Sequence, residues 1–243
     1  MNGRLFYLAA PLLLLQFAFA QQTATASAQS TPQSPAAHHP AAAQSAPSAD
    51  KIWAGLMEGN KRFVAGKAKN YSVVTLRHTL AKGQHPNVIV LGCSDSRVAP
   101  ELLFDQSLGD LFVVRSAGNI ADPVGLGSME YAVEHLGASV LVIMGHEKCG
   151  AVTAACSGDK MPTSNLQAIV DKIAPAVTQA KANAKPDDLI EAAIKENVHN
   201  EAKELLAQSD VLRHAKEEGK LAIYETEYKL DTGEVVRLDN SQH

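Results

Sequence analysis

The sequence has little of what marks the more specialised classes of protein. Its 243 residues contain three cysteines and no Cys-x-x-Cys pair, which excludes a dense disulfide scaffold and argues against a thiol redox centre. Its 22 Lys and Arg are outnumbered by 26 Asp and Glu, so the net charge of −4 gives no electrostatic footprint for nucleic acid. Beyond the N-terminal segment no apolar run is long enough to span a bilayer. We therefore expect a small-molecule partner.

The N-terminal segment has the pattern of a processing signal. A positively charged start precedes a short, mostly apolar stretch, and the small residues Ala18 and Ala20 offer a cleavage point before Gln21. This pattern predicts a signal peptide over residues 1–20 and export to the periplasm. Secretion and retention by an uncleaved anchor are the alternatives.

The remaining chain divides into a linker and one folded domain. Residues 21–49 are rich in Ala, Ser, Gln and Pro and poor in large apolar side chains, which predicts a disordered linker. Residues 50–243 alternate between helical and strand patterns, which predicts an α/β domain with a central, largely parallel β-sheet flanked by helices. Predicted helices cover 50–66, 74–82, 127–136, 166–208 (broken at Lys185-Pro186) and 211–218. Predicted strands cover 87–92, 111–115 and 139–145, with a hairpin-like pair at 221–229 and 234–238.

Metal-ligating side chains follow the first and third predicted strands. Cys93 and Asp95 lie in the run Gly-Cys-Ser-Asp-Ser-Arg after the first strand, and His146 and Cys149 follow the third. Because the carboxyl ends of parallel strands share one edge of a sheet, we expect these side chains to lie close together. Two thiolates, an imidazole and a carboxylate are ligands that zinc accepts in tetrahedral geometry. The sequence therefore predicts a zinc site at this edge.

Other interpretations of the cysteines remain open at this stage. A Cys93–Cys149 disulfide would leave Cys156 unpaired, but it would not explain His146 or Asp95 at these spacings. We expect Cys156 to be a buried, inert thiol. Three protein ligands with an open fourth position would make a catalytic site, whereas a closed fourth position would make a structural zinc module. A thiol redox protein and a zinc carrier are further alternatives.

Four sequence runs resemble those of the β-class carbonic anhydrases, and the resemblance covers most of residues 50–238. The runs are Cys93-Ser-Asp-Ser-Arg-Val98, Leu111-Phe-Val-Val-Arg-Ser-Ala-Gly-Asn119, Glu130-Tyr-Ala-Val133 and Gly145-His-x-x-Cys-Gly150. The resemblance implies the β-carbonic anhydrase fold and the reversible hydration of carbon dioxide to bicarbonate and a proton. It also implies one Zn²⁺ per chain and a homodimer or a tetramer built from dimers.

The resemblance assigns roles to the residues of both clusters. Cys93, His146 and Cys149 match the zinc ligands. Asp95 and Arg97 match a dyad in which the arginine fixes the carboxylate, and the carboxylate orients a zinc-bound hydroxide for attack on carbon dioxide. In a closed state of the family the residue matching Asp95 is itself the fourth zinc ligand and displaces the water.

Four more positions match residues that contact substrate in the family. Gln84 matches a hydrogen-bonding glutamine, and the amide of Gly150 contributes similarly at a helix N-terminus. Phe112 and Tyr131 match aromatic residues of the carbon dioxide pocket, the second often from a neighbouring subunit. Without the resemblance, Gln84 would be interpreted as a turn residue and both aromatics as core. Glu147 departs from the small hydroxyl residue frequent after the ligand histidine, and its effect is left open.

Overall fold

The structure of the protein, a computed structural model, describes residues 47–238. The predicted signal peptide and almost all of the predicted linker lie outside the described residues. The α-helices within 47–238 are α1 Ala49–Val64, α2 Val73–Leu80, α3 Pro100–Leu103, α4 Pro123–Leu136, α5 Gly150–Ser157, α6 Ser164–Asn183, α7 Leu189–Gln208 and α8 Asp210–Glu217. The strands are β1 Val88–Cys93, β2 Leu111–Ser116, β3 Val140–His146, β4 Ala222–Tyr228 and β5 Val235–Arg237.

The five strands form one sheet in the order β2-β1-β3-β4-β5. The first four are parallel to their neighbours, and only β5 runs antiparallel, to β4. The predicted α/β architecture with a largely parallel sheet is therefore confirmed. Every residue of β1 and β3 is buried, as expected of central strands whose two faces are both covered.

Alternate residues of the central strands belong to two separate hydrophobic clusters, one on each face of the sheet. Ile89 and Leu91 of β1 pack on one face with apolar residues of α4, α7 and α8. Val88 and Val90 point to the opposite face and pack with residues of α1 and of α3. A third cluster, formed by α5, α6 and α7, includes Cys93 and so covers the carboxyl end of the sheet.

Helix α4 begins four residues before the predicted start at residue 127. The Asp122 carboxylate accepts a hydrogen bond from Gly125 N at 2.7 Å, and Pro123 occupies the first helical turn, where its missing N–H costs nothing. The helix ends at Gly137, whose φ of 74° is left-handed. Gly125 and Gly127 have low helix propensity and so weakened the sequence pattern that predicts a helix here, but capping by Asp122 offsets this low propensity.

The predicted break at Lys185-Pro186 is confirmed. Helix α6 ends at Asn183, and a 3-10 turn at Pro186–Asp188 leads into α7. The short helix α3 was not predicted, because a single turn is too short to show periodicity. Within residues 47–238 no helix combines the length and apolar character needed to cross a membrane.

Candidate metal centre at the carboxyl edge of the sheet

The structure brings the three predicted zinc ligands together. Cys93 is the last residue of β1, His146 is the last residue of the adjacent strand β3, and Cys149 precedes the first residue of α5. One potential ligand atom from each lies within 4.8 Å of the others. All three residues are buried, with exposures of 4%, 0% and 1%. The sheet thus fixes two ligands, and the helix N-terminus supplies the third.

The imidazole of His146 is oriented by its own loop. Its Nδ1 lies 2.8 Å from the Glu147 carbonyl oxygen, which can only accept, so Nδ1 carries the proton. Nε2 then presents a lone pair toward the thiols. This buried atom has no hydrogen-bond partner in the part of the chain that the structure describes. A backbone carbonyl on the far nitrogen is the usual way in which a metal-ligating histidine is held.

Of the two thiols in the cluster, that of Cys93 ionises more readily, because the other thiol hydrogen-bonds to its thiolate. Hydrogen bonding with Cys149 lowers the pKa of Cys93 to about 4, and the same contact raises the pKa of Cys149. The backbone N–H of Gly118 also donates to Cys93 Sγ, at 3.3 Å. Thiolates are the form of cysteine that binds metal. Both cysteines are free within the described residues, which leaves the predicted disulfide alternative without support.

Asp95 and Arg97 form a two-point ion pair beside the cluster. Arg97 Nε donates to Asp95 Oδ1 at 2.9 Å, and Nη2 donates to Oδ2 at 2.7 Å. The guanidinium holds the pKa of the Asp95 carboxyl well below its usual range, so the group is an anion. Asp95 Oδ2 lies 3.9 Å from Nε2 of His146. The carboxylate therefore borders the ligand set while it remains paired with Arg97.

Arg115 of β2 anchors the loop that carries this ion pair. Its Nε donates to the Cys93 carbonyl at 2.8 Å, and its Nη2 donates to the Asp95 carbonyl at 2.6 Å. One guanidinium thus spans the residues on either side of Ser94. Arg115 belongs to one of the runs that resemble the family, but no role was predicted for it. Its position near the end of β2 could have indicated this role, because the end of β2 lies beside the end of β1 in a parallel pair.

Asn197 of α7 was missed altogether. Its side chain is 2% exposed, and its Nδ2 donates to the Gly118 carbonyl at 2.8 Å. It lies on the helix face that also carries the buried apolar residues Ile194 and Val198. A polar residue within an apolar helical stripe is a sequence signal that could have identified Asn197.

Gln84 and Phe112 are not brought to the metal cluster of the same chain. Gln84 precedes β1, whereas Cys93 ends it, and the strand alone spans about 17 Å. Phe112 pairs with Ile89 in the sheet, four residues or about 13 Å from Cys93. Phe112 packs against the cluster that includes α4 and α7, as the core interpretation expects.

Tyr131 and Gly150 have contrasting positions. Tyr131 lies on α4 with 47% of its surface exposed and its ring 5.1 Å from that of His135, so the expectation that it is a core residue within one chain is wrong. Gly150 begins α5 directly after Cys149 and is exposed. Its N–H belongs to the first turn of the helix, where amides have no intrahelical acceptor. Of the four predicted substrate positions, only Gly150 borders the cluster in its own chain.

Glu147 points away from the ligand set and enters an ion-pair network. Lys229 Nζ lies 3.3 Å from Glu147, 2.8 Å from Glu191 and 3.0 Å from Glu227, measured to the nearest carboxylate oxygens. Glu147 also accepts from Leu230 N at 3.0 Å. The Lys229 ammonium group thus provides positive charge to all three carboxylates. Glu147 therefore ties the ligand loop to the end of β4.

The geometry describes a site with three convergent donors and one anchored carboxylate. The donor set of two thiolates and one imidazole is one that zinc prefers, and three protein ligands leave a fourth position for a small molecule. Metal sites closed by four protein ligands have no such position. The arrangement is therefore suited to chemistry at a metal rather than to structural support alone.

Comparisons with known proteins agree with this geometry. Residues 88–235 match the family described as carbonic anhydrase. The chain is 40% identical to carbonic anhydrase 2 of Mycobacterium tuberculosis over 192 residues, which cover 77% of this chain and 92% of that protein. The β-carbonic anhydrase CafA of Aspergillus fumigatus is 28% identical with a TM-score of 0.63, over 79% of this chain and 92% of that one. A tetrameric β-carbonic anhydrase of Sordaria macrospora is 25% identical with a TM-score of 0.62, over 76% and 96%.

Proposed function

The chain belongs to the carbonic anhydrase family and to its β class, and from that premise we propose that Cys93, His146 and Cys149 bind the zinc at which it hydrates carbon dioxide reversibly. The products are bicarbonate and a proton. The observation that carries the proposal is the buried Nε2 of His146, which has no hydrogen-bond partner among residues 47–238 and lies within 4.8 Å of two thiol sulfurs. The three atoms lie within 4.8 Å of one another, and one tetrahedral zinc ion would hold two sulfurs and a nitrogen about 3.5 to 3.8 Å apart, so the cluster is compact enough for one ion.

Zinc, when bound, lowers the pKa of a coordinated water toward neutrality and supplies a hydroxide nucleophile, an effect for which three-histidine carbonic anhydrases are the standard example. The three side chains bind the ion and leave one position open to water. Two thiolates donate more charge than imidazoles do, which works against this acidification. We infer that the chain compensates through groups that orient the nucleophile and that hydrogen-bond to the thiolates.

Asp95 and Arg97 are the orienting groups in this proposal. Arg97 donates two hydrogen bonds to Oδ1 of Asp95, from its backbone N–H and from Nε, and one to Oδ2, so Oδ2 can accept one further hydrogen bond. Oδ2 lies near His146 Nε2 and so borders the open position. An anionic acceptor held at two points fixes the direction of the attacking lone pair. For Asp95 to become a fourth ligand, as in the family's closed state, its bond to Arg97 would have to change.

A second copy of the chain completes the substrate pocket in this proposal. Gln84 and Phe112 lie too far from the metal cluster of their own chain, and Tyr131 is largely exposed on α4. Their assignment to substrate therefore requires a symmetric dimer in which each chain lends these residues to its partner. The tetrameric assembly of the Sordaria macrospora relative supports association of this kind. The proposed state is a homodimer or a tetramer built from dimers.

The direct test is carbon dioxide hydration measured by stopped flow on the protein from Gln21 onward, with bound zinc quantified in the same sample. We expect one zinc per chain and fast turnover. Cys93→Ala should lose zinc and hydration together, whereas the matched change Cys156→Ala should keep both, because Cys156 lies outside the ligand set. Full zinc occupancy without hydration at any pH would favour a structural module or a carrier.

A subunit-mixing experiment tests the shared pocket. Gln84→Ala chains retain the zinc ligands, and Cys93→Ala chains retain Gln84, so a heterodimer of the two contains one complete site. Random reassociation gives roughly half heterodimers, and thus about a quarter of wild-type activity in the mixed pool. Mixed activity no greater than the mean of the two separate variants would contradict the contribution of Gln84 from a partner.

Export is part of the proposal and rests on the sequence of the first twenty residues. Expression of the whole chain in a Gram-negative host should release a protein in the periplasmic fraction whose mass begins at Gln21. An unprocessed protein in the membrane fraction would favour the anchored alternative.

A further inference from the structure

Cys93 accepts a hydrogen bond from the backbone of the segment that follows β2. The Gly118 N–H donates to Cys93 Sγ at 3.3 Å, from a 3-10 turn at Ala117–Asn119 that follows β2. A hydrogen bond to a thiolate withdraws part of the charge that the sulfur gives to a metal. In a site with two thiolates, such a donor favours a more electrophilic ion. The inference developed here rests on the proposed zinc site.

The position of this amide depends on a strained turn. Gly118 has a φ of 77°, and Asn119 follows with a φ of 48°. A Cβ at residue 118 would lie 2.7 Å from Ile173 Cδ1 and 3.2 Å from Ala151 Cβ, so only glycine fits between α5 and α6. A non-glycine residue in the left-handed region costs about 1 kcal/mol or more and persists only where its surroundings hold it.

Asn197 provides that support from α7. Its Nδ2 donates to the carbonyl of Gly118 at 2.8 Å, across 79 residues of sequence. Its side chain is 2% exposed and lies among apolar neighbours of the same helix. An apolar side chain at this position would remove this hydrogen bond and leave the carbonyl of the buried residue Gly118 without the Asn197 donor, which is costly. That bond ends on the residue whose N–H contacts Cys93.

We propose that Asn197 is a positioning residue of the metal centre. It holds the carbonyl of Gly118 so that the N–H of the same residue points at Cys93 Sγ. The sulfur is thereby fixed at its ligand position and donates less charge to the ion. Asn197 thus acts on the metal through one intervening residue and contacts neither the ion nor the substrate.

The test compares Asn197→Leu with two other variants in the full oligomer. Asn197→Leu removes the donor with little change in volume. Asn197→Gln keeps an amide donor and serves as the conservative rescue. Asn60→Leu is the matched control, because Asn60 is equally buried, 3% exposed, and its Nδ2 also donates to backbone carbonyls, those of Leu103 and Gly233.

Two readouts other than activity are measured on protein shown to be folded by circular dichroism. Zinc affinity is measured by chelator competition, and the thiolate-to-cobalt charge-transfer band is measured after substitution with Co²⁺. We expect Asn197→Leu to bind zinc about 10-fold more weakly, at the low end of the range for outer-shell partners, because Cys93 Sγ is no longer held at its ligand position. Its cobalt band should move to longer wavelength, because a less hydrogen-bonded thiolate is a better electron donor. Asn197→Gln should recover part of both effects, and Asn60→Leu should show neither.

The outcomes separate this inference from the proposed function. Unchanged affinity and an unchanged cobalt band in folded Asn197→Leu, beside a wild type that binds zinc and hydrates carbon dioxide, would overturn the positioning role alone. Equal shifts in Asn60→Leu would also overturn it, since the effect would then reflect general loosening. A wild type that binds no zinc would overturn the proposed function first. If Asn197→Leu does not fold, Asn197→Ser carries the test, because serine is too short to reach Gly118.

Discussion

Glu201 provides a quantitative test of how burial controls charge in this fold. The side chain belongs to α7, is 3% exposed, and accepts a hydrogen bond from Ala121 N at 3.1 Å. Lys172 Nζ lies 3.9 Å away, while its closer ion pair is with Glu204. Burial, only partly opposed by these contacts, raises the pKa of Glu201 from its ordinary value of 4.5 to about 7.

The sign of the effect follows from proton binding. Between pH 4.5 and about 7 the unfolded chain has lost the Glu201 proton while the folded chain still holds it. The free energy of unfolding therefore falls as the pH rises through this window and is lowest above it. The difference in pKa corresponds to about 3 kcal/mol at slightly alkaline pH. Glu201→Gln keeps an acceptor for Ala121 N without the charge, so it should be more stable than wild type by up to that amount.

The assay is urea unfolding of zinc-loaded wild type and Glu201→Gln at fixed protein concentration, from about pH 5 to pH 8. The two proteins should be nearly equal in stability at pH 5, and the advantage of the variant should grow toward pH 8. Glu204→Gln is the control, since Glu204 is partly exposed and its change should alter stability by less than about 1 kcal/mol at each pH. A difference that is independent of pH, or that grows toward acid, would refute the reasoning.

Three further predictions concern the metal centre. Arg97→Met removes the group that lowers the pKa of Asp95, so the acid limb of the pH profile of kcat should move to higher pH; an unmoved limb would show that this pair does not control the reaction. Chelation of zinc in air should couple Cys93 to Cys149, seen as a two-hydrogen mass loss, and a mass that stays unchanged would contradict their proximity. Cys156 is only half-buried, so the prediction that it is a buried thiol is wrong, and it lies outside the cluster; Cys156→Ser should therefore leave zinc content and the unfolding midpoint within error.

The sequence predicted those parts of the fold that depend on local patterns. The apolar runs of β1 and β3 located both central strands to within one residue, because strands buried on both faces tolerate no polar interruption. The Lys185-Pro186 pair marked the break between α6 and α7, because the residue before a proline favours an extended backbone, as Lys185 adopts here, although Pro175 is accommodated within α6. The start of α4 at Pro123 was missed because capping by Asp122 is a single contact and is not periodic. The ligand cluster could be predicted because β1 and β3 are parallel and each ends in a metal-ligating side chain.

The remaining parts of the site depend on contacts between distant segments, which no local pattern specifies. Asn197 reaches Gly118 only because α7 packs over the carboxyl end of the sheet. Arg115 reaches the loop after β1 through the register of two strands. The distance between Gln84 and the metal cluster was equally hidden, because a motif match gives a residue's identity and not the chain to whose site it belongs. These relations required the structure.

The placement of two ligands at the ends of neighbouring strands has a consequence for the biogenesis of this protein. Cys93 and His146 come together only when β1 and β3 pair in the native register, because the two strands then end side by side, and each residue of slip would move one ligand about 3.3 Å along its strand away from the other. Cys149 then depends on α5 having formed. If the chain binds zinc as proposed, the ion would selectively stabilise correctly paired chains, because chains with a mispaired sheet would not present three donors.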